Sequence, residues 1–391
     1  MRPRLQTASL QAAIDNCFLA GGGEVTVPAG VFRIGGLRLR SSVTLHLLQG
    51  AILQGSRDPD DYFILEKDTV EPFPKKLISH AGAKTEPSNK IYGKRWMNSM
   101  LRGFTVQHSA NWAENIRKSR DVLCEDITNI AGHDGVHITS CNDVIIRSCK
   151  FYTGDGCVAG FDNQNILVED CILNTACSAL RFGGTNVLVT RCRIFAPAVH
   201  PFRGFLSVKE KKAGINATDA KPENRRNNML SVFTYYGDCR TRIRKQPGNI
   251  VIRDCVVDGA DRFLHFNYSG NEPWQNNRPQ ADITFENITA DNISMPLTGY
   301  GDPATPFALS FANVKIRFRP GCEEVDFMHL AYFKRLTFEY VSISGNRCEK
   351  LLKSWSAPGK IICKDLTVDG KPVDAANALT VTQEPFTCQP I

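Results

Sequence analysis

The sequence predicts an all-β protein, a single-stranded right-handed parallel β-helix closed at its N-terminal end by a short helix. Three observations predict it. First, the segments Asn142–Cys149 (NDVIIRSC), Asn165–Cys171 (NILVEDC) and Asn186–Cys192 (NVLVTRC) are versions of one unit, their cysteines 22 and 21 residues apart. Second, each unit is a short β-branched run ended by a small or polar residue, the pattern of a strand rather than a helix. Third, a period of this size marks a solenoid, whose coils bury their apolar faces only by stacking on one another. Equivalent residues of successive coils then lie about 4.8 Å apart, the spacing of paired strands.

The elements follow in chain order. Leu10–Ala20 has helical spacing and runs into Gly21-Gly22-Gly23, a strong stop; a helix within residues 8–23 is expected to cap the open end of the solenoid, an otherwise exposed sheet edge. Glu24–Val27, Phe32–Ile34, Leu37–Leu39, Val43–Leu47 and Ala51–Gln54 read as short strands. Residues 56–98, rich in Pro, Lys and Asp, read as a loop or broken coil, and the main repeat occupies about 101–195. Residues 196–248 interrupt the solenoid. The pattern returns at Asn249–Cys255 (NIVIRDC), then at Asp282–Asn287, Arg335–Tyr340 and Lys360–Asp365. Despite 391 residues, one solenoid domain spanning 1–391 is expected, because a solenoid grows along one axis.

The insertion concentrates charge. It holds eleven Lys and Arg against four acids, a net +7 that equals the net charge of the entire chain. Such a loop is either a solvated surface feature or a cationic wall that draws an anionic substrate to a cleft; it also offers a surface through which copies of the chain can associate. Phe202, Phe205, Phe233, Tyr235 and Tyr236 indicate that part of it packs. No run of about 18 apolar residues is present, so no membrane span is expected, and no nucleic-acid motif accompanies the basic loop. Of the 14 cysteines, Cys149, Cys171, Cys192 and Cys255 hold one place in the repeat, which reads as a column of buried thiols acting as small hydrophobes. None shows the C-x-x-C spacing of a zinc site, and neither metal nor cofactor is expected. Many free thiols, with no signal-peptide shape at the N-terminus, suggest a cytoplasmic location.

Three positions carry the candidate chemistry. Asp134 (GHDGV), Asp155 (TGDGC) and Cys177 (ACS) are spaced by 21 and 22 residues, which puts them in one column at the turns. Two carboxylates on adjacent coils are suited to glycoside hydrolysis, one donating a proton to the leaving oxygen and the other activating water or attacking carbon. Like charges at that range resist joint ionisation, which separates the two roles. Asp before Gly also satisfies turn amides without any chemistry.

Gly132–Gly160 resembles the polygalacturonase and rhamnogalacturonase family of pectin hydrolases, glycoside hydrolase family 28. That family carries Asn-Thr-Asp-Gly, then about one coil later Gly-Asp-Asp-Cys, then Gly-His-Gly and Arg-Ile-Lys. Here His133-Asp134-Gly135 stands for the first and Gly154-Asp155-Gly156-Cys157 for the second. Leu10–Gly23 with the following Glu24–Gly30, and Val43–Leu47 running on to Gly50–Ser56, resemble the family's entry helix and first strands. The resemblance implies a pectin lyase-like solenoid and an inverting hydrolase, with Asp155 as general acid and Asp134 as the base that positions water. Three features depart from the family. Gly156 replaces a second aspartate, Cys177 replaces the histidine, and His265-Phe266-Asn267 stands where Arg-Ile-Lys would hold the substrate's carboxylate.

Other residues offer themselves as substitutes. Arg181, beside the column, can hold a carboxylate bidentately. His265, Asn267 and His133 can bind hydroxyl groups, and His137 also flanks Asp134. Tyr235, Tyr236, Trp112 and Trp274 can stack on sugar rings or simply pack. Cys177 can be a nucleophile only if its pKa is lowered. The expected activity is hydrolysis of an acidic, pectin-derived oligosaccharide, exo-acting because the insertion would block internal attack on a polymer. The alternatives are a lyase or epimerase on the same scaffold, and a carbohydrate-binding solenoid without catalysis.

Overall fold

The computed structural model describes residues 5–56, 58–62, 91–109, 112–202, 226–235, 244–267, 282–347, 351–373 and 379–381. The chain divides into two compact units. One comprises Met1–Lys90, His108–Asn111 and Val208–Ile215, and the other Ile91–Gln107, Trp112–Ser207 and Asn216–Ile391.

In the first unit a helix spans Thr7–Leu19 and buries Ile14. It stops ahead of the three glycines because Gly21 and Gly22 adopt φ of 100° and 104°, which no helix accommodates. Two parallel strand pairs follow, Gly23–Val27 with Val43–Leu47 and Gly30–Ile34 with Ala51–Gly55. The strand expected at Leu37–Leu39 does not form. The helix residue Gln11 takes both backbone groups of Arg38, accepting its N–H (2.8 Å) and donating to its carbonyl (3.0 Å). With those groups satisfied, this stretch has no need of a strand partner.

The second unit is a parallel β-solenoid. Its described strands form one 26-stranded sheet, parallel throughout except for a hairpin pairing Thr367–Val368 with Lys371–Pro372. Strands begin earlier than expected, at Ile91–Lys94 and Met97–Arg102. Stacked coils place like residues in register. Val122, Val144, Ile166, Val187, Ile250, Ile283, Leu309 and Leu336 form one buried column. Further along, aromatic rings take over a neighbouring column, with Phe311 stacked on Phe285 and Phe338 at 5.4 Å each. Offset stacking of this kind adds to the burial of large apolar areas.

The cysteine column is present and its thiols are buried. The pairings of Lys150 with Ile172, of Ile172 with Arg193 and of Arg193 with Val256 set Cys149, Cys171, Cys192 and Cys255 one above another. Ile127 precedes them, and Ile288, Val314, Val341 and Leu366 continue the column, so the slot accepts any compact apolar side chain. Each thiol donates to the carbonyl two residues back, at 3.0–3.3 Å. The described cysteines are free.

An outer column explains the asparagine that opens the later repeats, Asp143 holding its place in the first. Asn165, Asn186 and Asn249 have φ between 52° and 56°, the left-handed region that Asn tolerates better than other side-chain-bearing residues. Their amides then bond along the stack: Asn249 to Asn186 at 2.9 Å, Asn186 to Asn165 at 3.1 Å, and Asn165 to Asp143 at 2.8 Å. Gly160 is obligatory for a different reason. Its φ is +137°, and a Cβ there would fall 1.7 Å from the Ile138 carbonyl oxygen.

Among the described residues no helix is long and apolar enough to cross a membrane.

Candidate active site

The site lies where two turns of the second unit enter neighbouring strands. Residues 132–135 lead into Val136–Thr139, and residues 154–157 lead into Val158–Glu169. Val136 pairs with Val158, and Val158 with Leu180. This register corrects the expected column. Asp155 stands opposite Cys177 and His133, whereas Asp134 stands one position on, opposite Gly156.

That offset brings the acids together around one peptide. The Gly156 N–H donates to Asp134 Oδ1 and to Asp155 Oδ1, each at 2.9 Å, so these two oxygens lie no farther apart than twice that length. A Cβ on Gly156 would meet Asp134 Oδ1 at 3.2 Å and the Arg181 Cβ at 3.5 Å. A side chain at this position would lie close against the Asp134 carboxylate. Thr153 and Thr175 donate their hydroxyls to the Asp155 carbonyl at 2.6 and 2.5 Å, which fixes the turn.

The two acids have unlike surroundings. Asp134 is 3% exposed, and its second oxygen, Oδ2, lies 2.9 Å from His137 Nδ1. Burial, then the charge of Asp155, raises the Asp134 pKa; the His137 hydrogen bond opposes the rise. The Asp155 side chain is 20% exposed and lies 4.0 Å from Arg181 Nη1. One acid is thus sealed and the other open, the arrangement that divides acid and base roles.

Arg226 was not singled out among the eleven cations of the insertion. It borders Asp155 and Cys177, and desolvation lowers its pKa while their charges oppose that shift. Its guanidinium lies 4.1 Å from the Phe202 ring centroid, an arrangement that orients the cation. Arg244, by contrast, binds the solenoid body. It donates to Asp162 Oδ2 at 2.9 Å and to Asn142 Oδ1 at 2.7 Å. Charge count alone cannot separate these two arginines, and neither sits in the repeat. His137 and Trp112 had a better signal, because His137 shares with Arg181 the column Asn115–His137–Ala159–Arg181. Trp112 stacks on the His137 ring at 3.8 Å and 13°.

The remaining candidates are placed as follows. Burial and the charge of Asp155 push the Cys177 thiol far up, the opposite of what a nucleophile needs. His133, half-buried, stands opposite Asp155. His265 is 1% exposed, with Nδ1 2.6 Å from Thr298 Oγ1; it lies two coils from Arg181 through Thr234 and offers no surface to a sugar. Asn267 ends the same strand, opposite Tyr300, and its side chain lies outside the described residues. Tyr235 is 6% exposed and edge-on to Phe266 at 5.0 Å. Its ring is committed to the core, which corrects the expectation of a stacking platform. Tyr236 and Trp274 lie outside the described residues. Among the described residues no three His, Cys, Asp or Glu side chains are grouped to hold a metal ion. A hollow of about 250 Å³ lined by Arg193, Val256, Asp258 and Arg317 includes neither acid. Within it Arg317 pairs with Asp291 at 3.0 Å.

Residues 75–178 match the model of the Glycosyl hydrolases family 28. A 58-residue stretch is 52% identical to an exo-poly-alpha-D-galacturonosidase of Dickeya chrysanthemi, covering 15% of this chain and 9% of that protein. A probable polygalacturonase of Vitis vinifera is 24% identical over 368 residues, 78% of this chain and 69% of the relative. The solved structure of a hyperthermoactive exopolygalacturonase from Thermotoga maritima superposes with a TM-score of 0.65 at 16% identity, over 86% of this chain and 87% of the other, and is alike in fold. With the solenoid, the two turn aspartates and these matches taken together, the chain is similar to the glycosyl hydrolases family 28, whose model it matches over residues 75–178.

Proposed function

We propose that the protein hydrolyses an acidic, uronate-containing, pectin-derived oligosaccharide from its end, by an inverting acid/base mechanism. Asp155, the more open acid, donates its proton to the leaving glycosidic oxygen. Asp134, sealed beneath it, takes a proton from the attacking water. The observation that carries the reading is the shared Gly156 amide, which binds a buried and an open carboxylate at 2.9 Å each. With both oxygens engaged by Gly156 and His137, Asp134 is poorly placed to attack carbon itself and acts through water.

The preference for an anionic sugar rests on Arg181 and Arg226. Two guanidinium groups beside one acid leave positive charge for a substrate carboxylate to neutralise. They stand in for the arginine and lysine that His265 and Asn267 replace. Exo-action is supported by the names of the Dickeya and Thermotoga relatives, both exo-enzymes.

One observation favours a second stereochemical course. Inverting enzymes usually separate their carboxyl groups by about 6.5–9.5 Å and retaining ones by about 5–5.5 Å, and the Gly156-linked oxygens are close. Proton NMR of the first product formed from an α-linked oligogalacturonide decides between them. The β-anomer is expected, and the α-anomer would assign the retaining course. Chromatography of the same reaction should show monomer from the earliest times. A spread of oligomers would rule out exo-action, an ultraviolet-absorbing unsaturated product would indicate a lyase, and no cleavage of any uronate oligomer would overturn the proposal.

Arg226→Gln should raise KM for the uronate oligosaccharide about tenfold while leaving kcat within about threefold, the loss of roughly one charge-assisted hydrogen bond. On the methyl-esterified oligomer the variant and the wild type should have similar KM. An equal rise on both substrates would assign Arg226 to packing instead.

A further inference from the structure

We propose that His137 is the positioning residue for Asp134: through Nδ1–H it fixes the carboxylate's orientation and keeps it ionised to receive the proton of water. The inference rests on the hydrolase reading above and names a residue that has no part in the family resemblance.

The need for such a residue follows from the surroundings of Asp134. A base must be ionised, yet this carboxyl is 3% exposed and has Asp155 as a neighbour. Both features favour the protonated form. Two donors oppose them at its oxygens. The Gly156 N–H is shared equally with Asp155, at 2.9 Å to each, so it favours neither acid over the other. His137 Nδ1 lies 2.9 Å from Oδ2 and, carrying its proton there, donates to Asp134 alone. The other charged or titratable groups facing Asp134 are Arg181, whose charge lowers its pKa more weakly than His137 does, and Cys157, a thiol that burial pushes up to about 12. Cys177 and Arg226 act on Asp155 from the next coil and from the insertion.

The ring is held in the orientation this role requires. Trp112 covers one face of His137 at 3.8 Å, and the imidazole is 4% exposed. Its register neighbours are Asn115 on one side and Ala159 on the other. An ionised carboxylate only accepts hydrogen bonds, so the contact requires the proton on Nδ1. In turnover the water's proton moves to Asp134, the Asp155 proton moves to the leaving oxygen, and His137 keeps its own. Solvent returns the proton from Asp134 to Asp155 after product leaves.

The test compares His137→Phe and His137→Asn with the wild type in kcat/KM against pH on an oligogalacturonide. Removing the donor raises the pKa of the base, so the acid limb of the His137→Phe profile should move up by at least one pH unit. Its activity should fall more than tenfold near pH 5 and recover as pH rises, with KM within about threefold. His137→Asn, whose amide can donate from near the former Nδ1, should return most of the limb to its place. A uniform loss at all pH values, or an unmoved limb in an active enzyme that Asp155→Asn silences, overturns the role of His137 and leaves the hydrolase reading standing. Independently of turnover, the nitrogen NMR shifts of histidine-labelled protein should show His137 protonated at Nδ1. Protonation at Nε2 alone overturns the proposal even if the chain hydrolyses nothing.

Discussion

Asp155→Asn is expected to lower kcat by about three orders of magnitude, the middle of the range for a lost general acid, without moving the melting temperature by more than a degree or two. The substitution keeps the side chain's shape, and its carbonyl oxygen still accepts the Gly156 N–H that Asp155 accepts at 2.9 Å. What it removes is the proton that the leaving oxygen needs. Stability is spared because the side chain is 20% exposed and its ion pair with Arg181 spans 4.0 Å, a distance at which a partly solvated pair contributes little. Arg181 and Arg226 keep their places beside the substrate carboxylate, so KM should hold. Steady-state kinetics on an oligogalacturonide, with a thermal melt of each protein, make the measurement. Activity within about threefold of wild type would remove Asp155 from the mechanism.

The second large effect concerns stability. Glu114 opens the strand Glu114–Arg117, pairs with Ile91 and Val136, and is fully buried. It accepts a hydrogen bond from Asn129 Nδ2 at 2.7 Å. Its other oxygen, and Asn129 Oδ1, have no hydrogen-bond partner among the described residues. Burial pushes its pKa up to about 7 from an ordinary 4.5. Between those values the folded chain binds a proton that the unfolded chain has released, so stability falls as pH rises through the window. Below it both forms are protonated and there is no penalty; above it both are ionised and the penalty is complete, at about 3 kcal/mol. Glu114→Gln has no such charge. Its carbonyl preserves the Asn129 bond, and its NH₂ supplies a donor where two acceptors lack one. The variant should match wild type near pH 4.5 and melt several degrees higher at pH 8. Parallel melting curves for the two proteins across this range would refute the assignment.

The solenoid was legible because its physics repeats. Asn165, Asn186 and Asn249 mark the left-handed turns, the β-branched runs mark the strands, and Cys149, Cys171, Cys192 and Cys255 mark one inward slot; each signal recurs over several coils. The acids were legible for the same reason, as Asp-Gly pairs one coil apart. Their relation was less so. Steps of 21 and 22 residues look like one column, but the uniform offset of 22 between Val136, Val158 and Leu180 shifts Asp134 by one place, and a one-residue shift in a strand changes which partner a side chain meets. Arg226 could not be found by period at all, because it arrives from the insertion. Tyr235 misled because an aromatic beside charged residues looks like a ligand platform, whereas its place in the strand Met229–Tyr235 turns it toward Phe266.

The stacked thiols carry a consequence of their own. Each belongs to a different coil, and each is sealed by the coils on either side, so an alkylating reagent reaches it only when that stretch of the stack comes apart. Solenoids open locally and by neighbouring units rather than all at once. Cys149, Cys171, Cys192 and Cys255 are therefore four native clocks, one per coil, whose labelling times rank how readily successive layers beside the acids breathe.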